Sequence, residues 1–454
     1  MQNSSDTIAA IATAPGKGGV GIVRLSGPLA AEIGEKISGV IPSPRYADYR
    51  PLANLAGEVL DHGIVIYFKA PYSYTGEDVF EIQGHGGPVV LNLILKTAVE
   101  LGARIAAPGE FTERAFINEK MDLAQAEAVA DLIESTTEQA ARAATRSLQG
   151  DFSKRIQVLL DSLIHIRLYI EAALDFPEEE IDFLSDQQLH KRMHQLQADM
   201  ASVTKSVRQG QLLREGMTVV ILGQPNAGKS SLLNALSGSD AAIVTEIAGT
   251  TRDVLQQQIH IDGLPLNIVD TAGLRETEDV VEAEGVKRAW RAVQDADRVL
   301  LLVDASKGIT EADQKIIAEL PSDCDYDVIY NKIDLLPDYP HTASPRIEPD
   351  EHHTAIYLSA GKNDGVKLLA QHLEKSIGYE QNNEGIFTAR QRHLDALTIA
   401  HEHIELAAGQ LNVSAGELAA EELRLAQEQL STITGVFTND DLLGEIFSSF
   451  CIGK

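Results

Sequence analysis

Cysteine is nearly missing from this chain, with two, Cys324 and Cys451, in 454 residues. Two thiols cannot build a disulfide framework, and they suit a reducing compartment, so a cytoplasmic protein is expected. Long apolar runs are missing too: nothing approaches the ~20 residues of a membrane span. The first residues, Met1 to Thr7, have neither the basic nor the apolar region of a secretory signal. Basic charge is in deficit, with 38 Lys and Arg against 67 Asp and Glu and a net charge of −29. That balance argues against a general electrostatic grip on nucleic acid. It favours solubility and a basic protein partner, and any RNA would need a local basic patch or that partner to hold it. What remains is a soluble globular composition, 44 % hydrophobic and 23 % charged, long enough for two to four domains.

Against this background two motifs stand out. Residues 223–230 read Gly-Gln-Pro-Asn-Ala-Gly-Lys-Ser, and the chain later reads Asn331-Lys332-Ile333-Asp334. The first fits the loop whose backbone N–H groups wrap a nucleotide's phosphates. It follows an apolar run, Thr218 to Leu222, and opens a helical pattern from Ser231, which is the strand–loop–helix setting the motif requires. The second supplies the base: the Asp334 carboxylate accepts from guanine's N1–H and exocyclic amine, donors adenine lacks there. Asp270-Thr271-Ala272-Gly273 ends a further apolar strand, Leu266 to Val269, placing Asp270 for the Mg²⁺ shell and Gly273 for the γ-phosphate. Between them lies Thr245-Glu246-Ile247-Ala248-Gly249-Thr250-Thr251, a polar stretch with the hydroxyls of a first switch, followed by Arg252. Ser359-Ala360 closes the strand Ala355 to Leu358 and would back the guanine ring. Asn226, Ala227, Gly228, Lys229, Ser230 and Ser231 complete the expected GTP contacts.

Four pieces separate along the chain. Residues 1–118 mix short β-like runs (Gly21 to Leu25, Gly63 to Phe68, Val79 to Gln83) with Gly and Pro and one helical stretch, Val89 to Leu101, predicting a small α/β domain. Residues 119–214 turn helical and 215–378 hold the GTPase motifs. Helical periodicity returns over 379–454, with an apolar stripe of Leu394, Leu397, His401, Ile404, Ala408 and Leu411. The two helical pieces predict one helical domain with the GTPase domain inserted in it.

Lys229 would neutralise phosphate charge and Ser230 would offer its hydroxyl to Mg²⁺, with Thr251 or Thr250 as the second hydroxyl. Hydrolysis also needs an oriented water and positive charge at the β–γ bridge. Leu274 stands where Ras-like proteins carry the water-orienting glutamine, and its aliphatic side chain cannot orient water. Glu276, Glu278, Asp279, Glu282 and Glu284 are candidates for that role, but a charge run also reads as a solvated face. Arg252 and Arg275 are candidate sources of charge, or plain surface residues. Asn226 reads either as a monovalent-cation ligand or as a tolerated polar loop residue.

The whole chain resembles the tRNA-modification GTPase family MnmE (TrmE). The resemblance rests most specifically on Thr13-Ala-Pro-Gly-Lys-Gly-Gly-Val-Gly-Ile-Val-Arg24-Leu-Ser-Gly27, Gly76-Glu-Asp-Val-Phe-Glu81-Ile-Gln-Gly-His-Gly-Gly87, Pro108-Gly-Glu-Phe-Thr-Glu-Arg-Ala-Phe116 and the terminal Phe450-Cys-Ile-Gly-Lys454. It implies an N-terminal α/β domain that binds 5-formyl- or 5,10-methylene-tetrahydrofolate and dimerises. It further implies a helical domain and an inserted Ras-like P-loop GTPase domain with a mixed, mostly parallel sheet. A homodimer, a FAD-carrying flavoprotein partner (MnmG, or GidA) and tRNA as substrate follow from it. The expected product is an aminomethyl or carboxymethylaminomethyl group on C5 of the wobble uridine. The same resemblance assigns K⁺ to Asn226, Thr245, Ile247 and Thr250, water orientation to Glu282, and folate to Arg24, Glu81, Lys120 and Lys454. Lys17 stands where the family often has arginine, keeping charge but losing a bidentate fork. Phe447 and Phe450 predict that the tail is docked. Cys451 without an identifiable base reads as an inert thiol more readily than as a nucleophile. His85 reads as a turn histidine or as a ligand or base. A switch GTPase whose flanking domains only recruit partners would share the GTPase motifs.

Overall fold

A computed structural model describes residues 6–175, 187–238, 256–261, 264–270, 290–294, 296–321, 324–339, 341, 343–349, 353–376, 386–436, 440–448, 450–451 and 453. The chain forms two compact units: residues 1–130, 147–197 and 399–454 in one, 131–146 and 198–398 in the other.

The first unit holds a six-stranded sheet, β1 (Ile8–Ile11), β2 (Gly18–Ser26), β3 (Ala47–Ala53), β4 (Val59–Phe68), β5 (Val79–Gly86) and β6 (Arg104–Ile105), in the order β3-β4-β5-β2-β1-β6. Its pairs are antiparallel except β1 with β6. One face buries Val23, Leu25, Val65, Phe80 and Ile82 against the helices Ala30–Ser38 and Pro88–Glu100. On the opposite face Ile8 and Ala10 of β1 are buried with Ala106 and Phe111, while alternation brings Glu81, Gln83 and His85 of β5 to that side, His85 exposed. The sequence reading finds the second of these helices and misses the first. Gly34 hides it: a Cβ there would lie 2.4 Å from the Phe80 ring, so the helix needs glycine in order to pack flat on the sheet. The remaining described residues of this unit are mainly helical. Asp151–Asp175 packs along Gly416–Thr434, with Arg167 Nη1 donating to Gln427 Oε1 at 2.6 Å.

The second unit is a seven-stranded sheet in the order β12-β13-β11-β10-β7-β9-β8. Its strands are β7 (Met217–Gly223), β8 (Gln256–Ile261), β9 (Leu264–Asp270), β10 (Arg298–Asp304), β11 (Tyr326–Asn331), β12 (Arg346–Pro349) and β13 (Thr354–Tyr357). The five central strands are parallel, and β8 and β12 add antiparallel edges. Both faces are buried: Val219, Ile221, Leu300 and Leu302 enter one core layer, and Val220, Leu222, Leu301 and Val303 the other. This is why these strands read as unbroken apolar runs.

The compact units cut the chain differently from the four sequence pieces. Ala143, Leu213 and Ile386 lie in the same buried cluster as β7 and β9, so short helical segments on either side of the sheet belong to its unit. The stripe of the helix Gln391–Asn412 is also offset from the reading. Ala400 and Ala407 are buried, while His401 and Ala408 are only partly covered. Small residues take the close-contact positions there, and the larger imidazole stays at the flank.

Candidate nucleotide site and a second site on the N-terminal sheet

The phosphate loop, Asp270, Asn331-Lys332-Ile333-Asp334 and Ser359-Ala360 sit at the C-terminal ends of the parallel strands β7, β9, β11 and β13, where open α/β sheets bind ligands. β7 ends at Gly223 (φ +143°), the loop turns through Asn226 (φ +65°) and Gly228 (φ +104°), and the helix Lys229–Ser237 begins. These conformations turn backbone N–H groups inward and place a helix N-terminus at the loop, which together form an anion cradle. Close approach enforces the glycines: a Cβ on Gly223 would lie 2.3 Å from Leu302 O, and one on Gly228 2.3 Å from Asn331 Nδ2. Lys229 Nζ folds back to donate to Gly223 O at 2.7 Å. Ser230 and Ser231 are exposed on the first turn.

Asn331 joins the two halves of the site. Its Nδ2 donates to Ala227 O at 2.9 Å and its Oδ1 accepts from Ala360 N at 2.9 Å. One buried amide thus sets the distance between the phosphate loop and the base loop. Lys332 (φ +67°) donates to Asn226 O at 2.6 Å and to Asp304 Oδ2 at 2.8 Å. Burial pushes the Asp304 carboxyl up, but bonds from Lys332 and Ser306 outweigh it and hold its pKa at about 2. Ser359 Oγ donates to Asp334 Oδ1 at 2.6 Å, fixing that carboxylate. A cavity of about 360 Å³ borders the phosphate loop on its other side, lined by Gln224–Ala227, Asp304, Lys307, Thr310 and Asp313. Asp304 is the member of this network that motif reading missed. Its signal is an acidic residue closing an apolar strand, as Asp270 does.

Two family models match the chain: "MnmE helical domain" over residues 123–451 and "GTP-binding protein TrmE N-terminus" over residues 7–120. A protein of Hydrogenovibrio crunogenus is 56 % identical over 453 residues, covering 100 % of this chain and 99 % of its own. One from Pseudoalteromonas translucida is 56 % identical (99 % and 100 %), and one from Haemophilus influenzae 54 % identical (99 % and 100 %). All three carry the name tRNA modification GTPase MnmE. The chain belongs to the MnmE family. It is therefore a GTPase of tRNA modification.

The MnmE-family resemblance also points to positions in the first unit. Arg24 and Glu81 face each other across β2 and β5 and form an ion pair, Nε to Oε1 at 2.9 Å. The guanidinium lies 5.6 Å from the Tyr74 ring centroid and 5.7 Å from that of Phe111, two neighbours sequence reasoning missed. Lys120 Nζ donates to Pro71 O at 3.0 Å. The C-terminal tail is docked in this MnmE-type unit, as Phe447 and Phe450 predict. Both are buried with Leu123, Ala126 and Ile446. Gly109 (φ +70°) has no room for a Cβ, which would fall 2.5 Å from Phe447 O. Gly453 is equally tight, 2.4 Å from Ile11 O. Cys451 is exposed and Cys324 partly buried, and neither forms a disulfide.

Several candidates lie outside the described residues: Thr245, Glu246, Ile247, Ala248, Gly249, Thr250, Thr251, Arg252, Thr271, Ala272, Gly273, Leu274, Arg275, Glu282 with its neighbouring carboxylates, and Lys454. Asp270 is described as the last residue of β9. No helix among the described residues is long and apolar enough to cross a membrane.

Proposed function

We propose that this chain is a K⁺-activated GTPase working as a homodimer with a FAD-carrying flavoprotein of the MnmG (GidA) type. In this reading it uses a tetrahydrofolate one-carbon unit to place an aminomethyl or carboxymethylaminomethyl group on C5 of the wobble uridine of certain tRNAs, in the cytoplasm. Its relatives' common name supports tRNA as the substrate. The observation that carries the guanine-nucleotide half is the Asn331 bridge between Ala227 and Ala360, beside an Asp334 oriented by Ser359. Bound GTP would take its phosphates into the loop, drawing Lys229 off Gly223 O, and set guanine against Asp334 and Ala360.

The donor sets fit the cations this reading needs. Ser230, on the first turn, and Thr251 would hold Mg²⁺ beside Asp270, supplying charge to the phosphate oxygens. Asn226 is exposed, with its carbonyl anchored by Lys332, and with Thr245, Ile247 and Thr250 would hold K⁺. That ion supplies positive charge at the β–γ bridge, the role an arginine fills elsewhere. Glu282 takes over water orientation from the missing glutamine. Arg24, Glu81, Lys120 and Lys454 would hold the folate: a carboxylate accepts from a pterin's amide and amine donors, and cations meet its anionic tail. The Arg24–Glu81 pair beside Tyr74 and Phe111 suits that ligand. The GTPase domain (215–378) is read as an insertion in one helical domain made of 119–214 and 379–454, with 1–118 as the folate and dimer domain.

The test is mass spectrometry of tRNA nucleosides from cells with and without this chain. Loss of 5-aminomethyl-type wobble uridines in its absence supports the reading. Their persistence would leave a switch GTPase whose flanking domains serve only recruitment.

A further inference from the structure

Away from the buried β1 end, the β4–β5 part of the sheet face opposite its two helices carries a second group of titratable side chains. Asp61 of β4 reaches over Gly84 to His85 of β5. Its Oδ2 accepts the His85 backbone N–H at 2.7 Å, and its Oδ1 lies 2.7 Å from His85 Nδ1 and accepts the His62 N–H at 2.7 Å. The Asp61 side chain is 10 % exposed and the His85 side chain 74 %. Glycine makes the room: a Cβ on Gly84 would stand 2.7 Å from Asp61 Oδ2. Burial pushes the Asp61 carboxyl up, but the bonds from His85 and His62 outweigh it and hold it below the usual carboxylate range. An ionised carboxylate only accepts, so Nδ1 carries the proton and Nε2 is left as an exposed acceptor. β2, paired on the other side of this strand, sets Gly18 opposite Gly86 and Gly21 opposite Gly84, and Asp61 is the titratable group bonded to the ring.

We propose that His85, held by Asp61, is the base that takes the proton from C5 of the uridine being modified. This rests on the uridine-C5 chemistry proposed above. When C5 bonds to the incoming carbon with the ring's π electrons, that carbon's double bond to nitrogen gives its π pair to the nitrogen, and C5 then holds both the new substituent and its original hydrogen. The C5–H bond then breaks, its electron pair restores the ring double bond, and the proton passes to Nε2. That step needs no oxidant. Glu81, Gln83 and His85 point to the same side of β5, so the imidazole lies about 13 Å from Glu81 at about 3.3 Å per residue. A pyrimidine lying beyond a folate gripped at Arg24 and Glu81 would present C5 towards it.

The full chain is reconstituted with its flavoprotein partner and with tRNA tritiated at uridine C5, as wild type, His85→Gln and Asp61→Asn. Wild type is expected to release tritium at a rate that depends on pH, faster where the base is unprotonated. His85→Gln, whose amide still reaches Asp61, should slow release ~10²–10⁴-fold and remove that pH dependence, the span typical of general-base loss. Folate binding and K⁺-stimulated GTPase activity should match wild type in both variants. Nitrogen NMR should find the Nδ1–H tautomer in wild type and a mixture of tautomers in Asp61→Asn. If wild type releases tritium and His85→Gln equals it in rate and pH profile, the assignment is overturned. If His85→Gln loses folate binding in parallel with tritium release, His85 belongs to binding and not to proton transfer. If wild type itself neither releases tritium nor forms the modified nucleoside, the uridine reading falls and takes this proposal with it.

Discussion

At the scale of single residues, the nucleotide site depends on a few side chains whose neighbours leave no slack. Gly228→Ala adds a Cβ to a residue at φ +104° and 2.3 Å from Asn331 Nδ2, so both the loop and the Asn331 bridge must shift. GTP affinity is expected to fall at least ~30-fold, or about 2 kcal/mol, within the range strained backbone costs, as measured by titration with a fluorescent GTP analogue. Asn226→Ala should separate two functions, keeping nucleotide binding while K⁺ stimulation of hydrolysis is lost. An assay in K⁺ against Na⁺ checks this, and stimulation that survives would remove Asn226 from the cation site. For Glu282→Ala the expected result is normal GTP binding with hydrolysis slowed by orders of magnitude. A single-turnover rate equal to wild type would take Glu282 out of the mechanism. The phosphate loop and Asn331-Lys332-Ile333-Asp334 are legible in sequence because chemistry fixes their spacing. Asp304 and the Arg24–Tyr74–Phe111 stack are not, because their members meet only after distant elements pair.

Elements of secondary structure are held by buried polar contacts that sequence reading passes over. Asp327, on β11, has no exposed side-chain surface and binds Arg298 of β10 through Nε at 2.8 Å and Nη2 at 3.0 Å. The helix Val366–Ser376 adds His372 Nε2 at 3.1 Å. Burial pushes this carboxyl up, and the bonds from His372 and Arg298 more than reverse it, so its folded pKa lies below the ordinary value. The group's contribution is therefore complete above the unfolded carboxylate's pKa and is lost as pH falls through the lower folded value. Asp327→Asn should cost about 3–5 kcal/mol at neutral pH, the usual penalty for stranding a buried charge, and should flatten the acid limb of stability. Denaturant melts between pH 3 and pH 7 would test both effects, and equal losses at all pH values would contradict the charge argument. Gly210, in the helix Gln187–Glu215, marks another close contact: a Cβ there would come within 1.9 Å of Phe387 O, so the backbone at Phe387 to Ala389 runs directly against that helix. Gly210→Ala trades a gain in helix propensity for that overlap and should destabilise by about 1–3 kcal/mol.

For the whole molecule, the decisive prediction is the chemical one: removing the chain should abolish 5-aminomethyl-type wobble uridines, and neither Asn226→Ala nor Arg24→Ala should restore them. The two failures should differ, since Arg24→Ala is expected to lose tetrahydrofolate binding while its K⁺-stimulated GTPase activity is retained. Sequence by itself determined the guanine-nucleotide motifs, the parallel strands that carry them and the helical character of 151–175 and 416–434. Each is set by local spacing or by a periodicity that burial imposes on one run of residues. Tertiary structure alone decided that the helix Ala30–Ser38 exists around Gly34, that short helical segments share a core with the GTPase sheet, and that the C-terminal tail seats against Gly109. It also decided that Asp61 reaches His85. These depend on which surfaces come within van der Waals or hydrogen-bond distance, and a glycine that looks like a break in the sequence is, in the fold, the space a neighbour occupies.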